Sequence, residues 1–152
     1  MSERILEGKT ALVTGANGGL GKAIIELFAQ NGADIYACAR SQNDEFEKVM
    51  LMCAQKHGVD IRPRYFDISD ENEVKEGLNA IRQEKKCLDI LVNNAGVASA
   101  GTLRMTSMSE LRRVFDINFF GAVQIMQLVS GIMIRQKKGS IIRAGRRTRA
   151  CS

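Results

Sequence analysis

The chain has 152 residues, 45% hydrophobic and 26% charged, with 14 Gly and a single Pro, which is the profile of one globular domain and excludes a disordered chain. Cys38, Cys53, Cys87 and Cys151 show no C-x-x-C spacing and His57 is the only histidine, so no metal site is expected and a reducing, cytoplasmic location is. The net charge of +5 is local: four of the 22 basic residues fall in the last ten positions, which hold no acid, and the rest of the chain stands at 18 against 17 acidic residues.

Lys9 to Gly15 reads as a buried strand ending in glycine. Leu20, Ala23, Ile24, Leu27 and Phe28 recur on one helical face until Asn31-Gly32 stops them. Asp34 to Ala39 is a second strand. Phe46, Val49, Met50 and Cys53 line a second helix, ended by His57-Gly58. Ile61 to Phe66 is a third strand, and Asp70 with Glu73 opens a helix in the manner of a capping box, followed by Val74, Leu78 and Ile81. Leu88 to Val92 is a fourth strand. A loop rich in small residues, Ala95 to Ser107, leads into the longest helix, about Ser109 to Arg135, apolar on nearly all sides. Lys138 to Ile142 opens a fifth strand. No apolar run approaches the roughly 18 residues of a membrane span, and the N-terminal segment lacks a signal peptide's apolar core; no membrane partner is expected. Strands alternating with helices imply right-handed βαβ units, hence a doubly wound parallel α/β sheet of about five strands.

The first strand runs into Thr14-Gly15-Ala16-Asn17-Gly18-Gly19-Leu20-Gly21 and then a helix. Gly15 permits the tight turn, Gly19 lets a pyrophosphate approach, and Gly21 lets helix and strand pack closely. Phosphates would sit on the free N–H groups of the helix N-terminus. A glycine-rich turn without a ligand is the plainer alternative, but the flanking strand and helix favour a dinucleotide. A Walker A loop is excluded, since Ala16 and Ala23 stand where Gly and Ser or Thr are needed.

This glycine pattern, with Asn93-Asn94-Ala95-Gly96 after the fourth strand, Asp67 after the third and Asn118 in the long helix, resembles the short-chain dehydrogenase/reductase family. Phe115 to Gly121 and Lys138 to Ile142 add to the likeness, whose flavour is that of the 3-oxoacyl-carrier-protein reductases. The resemblance implies a Rossmann-type domain over residues 1–142, the N-terminal portion of the family's fold. It implies that Gly15, Asn17, Gly19, Leu20 and Gly21 wrap the pyrophosphate and that Asp67 accepts from the adenine amino group beside the Ile68 backbone. Asn94, Ala95 and Gly96 would pass the ribose. Asp67 could instead serve only as a turn residue, and Asn93 reads as an amide tying strand to loop.

At the end of the second strand, an acid would hold the ribose 2′-hydroxyl of NAD, whereas an arginine accommodates the 2′-phosphate of NADP. Ala39 occupies the acidic position and Arg40 follows it. NADP is therefore expected over NAD.

Of the family's catalytic groups the resemblance leaves Asn118 alone. It shares a stripe with Leu111, Phe115 and Ala122, so burial and hydrogen-bond partners are expected; a core Asn bonded only to backbone is the competing reading. Counting from Gly139 puts the family's Ser at Arg146. Tyr36 and Tyr65 are followed four residues on by Arg40 and Ser69, so neither is a Tyr-x-x-x-Lys. Residues 143–152 form an off-pattern, Arg-rich tail that reads as a shifted reading frame, a fragment boundary or a spliced end. The sequence thus points to the NADP(H)-binding portion of a reductase whose parent reaction moves a hydride between NADPH and a ketone or aldehyde, inactive by itself. The alternatives are a regulatory or pseudoenzyme module that binds NADP or forms a homo-oligomer through the helix near 109–135, and, below both, a nucleic-acid binder acting through the tail. No aromatic interleaves the tail's arginines, which weighs against that last reading.

Overall fold

Strands β1 (Thr10–Thr14), β2 (Asp34–Ala39), β3 (Ile61–Tyr65), β4 (Ile90–Asn93) and β5 (Ser140–Arg143) form one sheet. All four pairings are parallel, in the spatial order β3-β2-β1-β4-β5. This computed structural model describes residues 3–85, 87–99 and 101–145; the arginines of the tail beyond Gly145 lie outside them. Helices α1 (Gly19–Gln30), α2 (Asp44–His57), α3 (Glu71–Glu84), α4 (Met108–Phe115) and α5 (Ala122–Gln136) connect the strands, and a π-helical segment, Asp116–Gly121, joins α4 to α5. The architecture is the doubly wound, Rossmann-type α/β fold.

The period-two pattern of the strands sorts the core into two layers. Ala11, Val13, Ile35, Ala37 and Val92 pack with Ile25 and Ala29 of α1 and Phe46, Met50 and Cys53 of α2. On the other face Leu12, Tyr36, Cys38 and Leu91 pack with Val74, Leu78 and Ile81 of α3 and Ile125, Val129 and Met133 of α5. Asp70 caps α3, its carboxylate accepting from the Asn72 and Glu73 amides. Glu73 does not return the bond to Asp70 as a capping box would; its carboxylate accepts from the Asp67 amide at 2.7 Å, fixing the turn after β3.

Two helical stripes shift in the structure. The buried stripe of α1 is Gly21, Ile25 and Ala29; of the expected stripe, Ile24 and Phe28 pack half-buried against it, whereas Leu20, Ala23 and Leu27 are exposed. Gly21 must face the sheet, because a Cβ there would collide with the Gly15 carbonyl and lie 2.9 Å from Ala16 Cα, and that contact sets the rotation of the whole helix. Further on, Phe115 is exposed while Asn118 is half-buried. The wider turn of the π segment breaks the 3.6-residue register that placed Leu111, Phe115 and Asn118 on one stripe.

The helical run Met108–Gln136 spans 29 residues, and its most apolar 18-residue window has a mean hydropathy of 1.6, enough by length and composition to cross a membrane. A search for consecutive apolar residues does not register it, because Gln124, Gln127 and Ser130 interrupt the run. Its buried face, Ala122, Ile125, Val129 and Met133, is spent on the sheet. Strand β5 runs one residue past the expected limit at 142: Arg143 pairs with Asn93, and the Ala144 amide donates to the Asn93 carbonyl at 3.0 Å.

Candidate functional site

Because every strand points the same way, the loops after β1, β2, β3 and β4 gather at one edge of the sheet. Strand β1 lies between β2 and β4, which are reached by connections on opposite faces; this is the switch point where open α/β sheets present a crevice.

The glycine loop is built for that position. Gly15 has φ +64°, and a Cβ on it would sit 2.8 Å from Ala95 Cα, so the turn after β1 and the loop after β4 touch through backbone. Thr14 is the hub between them. Its Oγ accepts from the amides of Asn94 (3.1 Å) and Ala95 (3.0 Å). The Asn94 side-chain amide donates in turn to the carbonyls of Thr14 and Gly15, at 3.1 and 3.2 Å. Asn94 Nδ2 and its backbone amide are therefore committed to joining two loops, which leaves Oδ1 and the backbone carbonyl for a ligand. Asn93 donates to the Ala122 carbonyl at 3.2 Å and is buried, tying β4 to α5. Thr14's role as hub was concealed in the sequence because its partners lie some eighty residues away.

Gly19 differs from its neighbours. A Cβ on it would meet nothing within 4 Å. The N-cap of α1, Gly18, makes no side-chain hydrogen bond, and the first turn carries no acid. The first amides of α1, at Gly19, Leu20 and Gly21, thus have no side-chain acceptor, and the opening beside them lies at Gly19, next to Asn17, which is exposed. Free helix N–H groups in an open, acid-free position suit an anionic ligand.

The loop after β3 closes a second side of the crevice. Asp67 Oδ1 accepts from the Ser69 amide and hydroxyl at 2.9 and 2.6 Å, and Oδ2 pairs with Arg40 Nε at 3.1 Å. Burial pushes the Asp67 carboxyl up, but the Ser69 bonds and the Arg40 charge outweigh it and hold the group below its ordinary value. Arg40 itself is 76% exposed. The next residue, Ile68, presses its backbone on the π segment, where a Cβ on Gly121 would lie 3.0 Å from the Ile68 carbonyl carbon. The need for glycine at 121 comes from this long-range approach, and no local pattern revealed it.

Asn118 sits in the same π segment. Its Oδ1 accepts from the Val97 amide at 2.8 Å and its Nδ2 donates to the Val97 carbonyl at 2.7 Å. The side chain holds the loop after Gly96 in place, and a Cβ on Gly96 would come 3.3 Å from Asn118 Oδ1. The Asn118 carbonyl accepts from Arg143 Nη2 at 3.0 Å.

A sequence model described as short chain dehydrogenase matches residues 9–145. The chain belongs to the short-chain dehydrogenase family. It is 33% identical over 139 residues to the 3-oxoacyl-(acyl-carrier-protein) reductase FabG of Thermotoga maritima, covering 90% of this chain and 55% of the relative. Among solved structures, L-sorbose reductase from Gluconobacter frateurii, complexed with NADPH and L-sorbose, superposes with a TM-score of 0.86 at 29% identity, over 93% of this chain and 54% of that one. An NAD+-bound xylitol dehydrogenase gives a TM-score of 0.82 at 31% identity, over 91% and 53%. The chain spans about half the length of these relatives. The family's fold binds NAD(P)(H) and serves oxidoreductases, and the crevice described above lies in the part of the fold that the short-chain dehydrogenases share with this chain.

Neither tyrosine is placed for proton transfer in that crevice. Tyr36 is buried in the core with its hydroxyl 3.2 Å from Glu84 Oε2, and Tyr65 donates to Glu47 Oε1 at 2.9 Å. Burial and the adjacent carboxylates push both phenols up, Tyr65 to about 12. A tyrosine acting near neutral pH needs the opposite shift.

Proposed function

We propose that the chain forms the NADP(H)-binding portion of a short-chain reductase, the parent reaction being hydride transfer between NADPH and a ketone or aldehyde. The observation that carries this reading is the open Gly19 position over the uncapped start of α1, set between two loops that Thr14 and Asn94 lock together. Gly15, Asn17, Gly19, Leu20 and Gly21 would hold the pyrophosphate, Asp67 and Ile68 the adenine, and Asn94, Ala95 and Gly96 the ribose. The nicotinamide supplies the hydride. Asn118 keeps the loop at Val97 in place and acts here as a positioning residue.

The choice of NADP rests on Arg40. It stands at the end of β2 with no acid at position 39, and a guanidinium matches phosphate geometry. To reach a 2′-phosphate it must leave Asp67, and an ion pair this exposed is worth about 0–1 kcal/mol, less than a charged phosphate contact returns. The solved neighbours carry NADPH in one case and NAD+ in another, so Arg40 is the discriminating feature in this chain. The experiment is a titration with NADPH and NADH by fluorescence. Tighter NADPH binding that is lost in Arg40→Ala supports the reading, and equal affinities overturn the assignment of Arg40.

A second reading, an NADP-binding association module, is supported by the exposed aromatic face of Phe115, Phe119 and Phe120. It predicts oligomers whose affinity for NADPH matches that of the monomer.

A further inference from the structure

On the α1–α2 side of the sheet, at the end remote from the crevice, three donors of different elements converge. Cys53 and His57 are one turn apart on α2 and so share a face. Glu26 meets them from α1. Cys53 Sγ lies 3.2 Å from Glu26 Oε2, and His57 Nε2 lies 2.9 Å from Glu26 Oε1. All three donor atoms fall within 4.8 Å of one another. Tetrahedral zinc with the usual Zn–S, Zn–N and Zn–O bond lengths spaces its ligand atoms roughly 3.3–3.7 Å apart, so movements of well under a side-chain length would admit the ion.

We propose that Glu26, Cys53 and His57 form a zinc site that clamps α1 to α2. The ligand set is thiolate, imidazole and carboxylate, which suits Zn2+ better than Mg2+ or Ca2+. On binding, the Cys53 proton leaves to solvent, His57 coordinates through the Nε2 that now faces Glu26, and water takes the fourth position on the exposed side of Glu26. Lys56 currently pairs with Glu26 Oε1 but is 65% exposed, so it can swing into water. In the metal-free form all three side chains are hydrogen-bonded to Glu26, the Cys53 thiol donating to Oε2 and Lys56 and His57 meeting Oε1; zinc would replace those contacts with bonds to the same donor atoms. In the sequence, Cys53-x-x-x-His57 offers only two ligands, and the third, Glu26, comes from another helix.

The test uses the 152-residue chain with Cys87→Ser and Cys151→Ser, titrated with Co2+ and then Zn2+. The expected result is one equivalent of Co2+ giving a thiolate charge-transfer band and intense tetrahedral visible bands, displaced by one equivalent of Zn2+, with a rise in Tm. Cys53→Ser should abolish the bands, His57→Ala should weaken binding at least about ten-fold, and Lys56→Ala should tighten it several-fold by freeing Glu26. If Cys53→Ser fails to fold, His57→Ala carries the decision, since zinc should raise its Tm by clearly less than it raises that of the parent. The proposal is overturned if no band forms, if the bands survive Cys53→Ser, or if zinc shifts the Tm of His57→Ala as much as that of the parent. None of these readouts involves NADPH.

Discussion

Replacing Gly19 by Ala separates what the glycine loop does for the fold from what it does for a ligand. The added Cβ projects into open space, with nothing within 4 Å, and alanine in the first turn of a helix is neutral or stabilising by up to about 1 kcal/mol. Thermal unfolding should therefore stay the same or rise slightly. The same methyl would occupy the space the pyrophosphate needs, and an overpacked contact of about 1–3 kcal/mol corresponds to a loss in NADPH affinity of about 5- to 150-fold. Gly15→Ala and Gly21→Ala are the contrast. At Gly15 the left-handed backbone costs about 1–2 kcal/mol before the contact at 2.8 Å with Ala95 Cα is counted, and at Gly21 the collision is with backbone that cannot rotate away. Both should unfold at markedly lower temperature. The assay pairs calorimetry with fluorescence titration of NADPH for each variant. Binding by Gly19→Ala with the parental Kd, or a fall in its Tm like that of Gly21→Ala, would refute the reasoning.

Arg40→Ala should reduce the preference for NADPH over NADH by about 1–3 kcal/mol, the worth of a charge-assisted contact; an unchanged ratio in parallel titrations would place Arg40 outside the site. The 152-residue chain should show no ketone reduction with NADPH, because Tyr36 and Tyr65 are tied to Glu84 at the end of α3 and to Glu47 on α2, and losing a catalytic unit costs orders of magnitude; turnover that copurifies with the protein and vanishes in Gly19→Asp would contradict this. At micromolar concentration the chain should associate, since Phe115, Phe119 and Phe120 are exposed and β5 stands at the sheet edge with Ile141 and Ile142 partly bare; sedimentation showing a stable monomer would refute it. Acid stability should track Asp89. Burial pushes its carboxyl up, but the Thr10 amide at 3.0 Å and Lys138 at 3.1 Å outweigh that and hold it below its ordinary value. Its contribution is then complete above the ordinary carboxylate pKa, near 3.9, and is lost as pH falls through the lower folded value. Urea titrations between pH 6 and about 2 should accordingly show a shallower acid limb in Asp89→Asn than in the parent.

The fold was legible wherever the signal is local. Strand β2 occurs at its expected bounds, Asp34–Ala39, because an apolar run between Gly32 and the turn at Arg40 leaves little choice. The stripes on α2 and α3 held because their buried contacts are dominated by the apolar side chains that make the periodicity, Phe46, Met50 and Cys53 on one and Val74, Leu78 and Ile81 on the other. The stripe on α1 did not, since Gly21 has no side chain to register in a periodicity and yet its backbone contact with Gly15 fixes the helix rotation. The π segment escaped for a related reason. One wide turn moves Phe115 off the Asn118 stripe, and at the end of that turn Gly121 meets Ile68, a residue more than fifty positions away.

At the site, composition and order alone determined that a glycine loop follows β1 and that Arg40, Asp67, Asn94 and Asn118 lie at strand ends or in the long helix. Only the tertiary structure decided their partners. It set Arg40 against Asp67, spent the Asn94 amide on the β1 loop, and gave Asn118 to the Val97 backbone. It also drew Glu26 of α1 toward Cys53 and His57 of α2. A sequence carries the identity and spacing of polar groups, whereas their hydrogen-bond partners depend on which distant backbone atoms the packed sheet brings within about 3 Å.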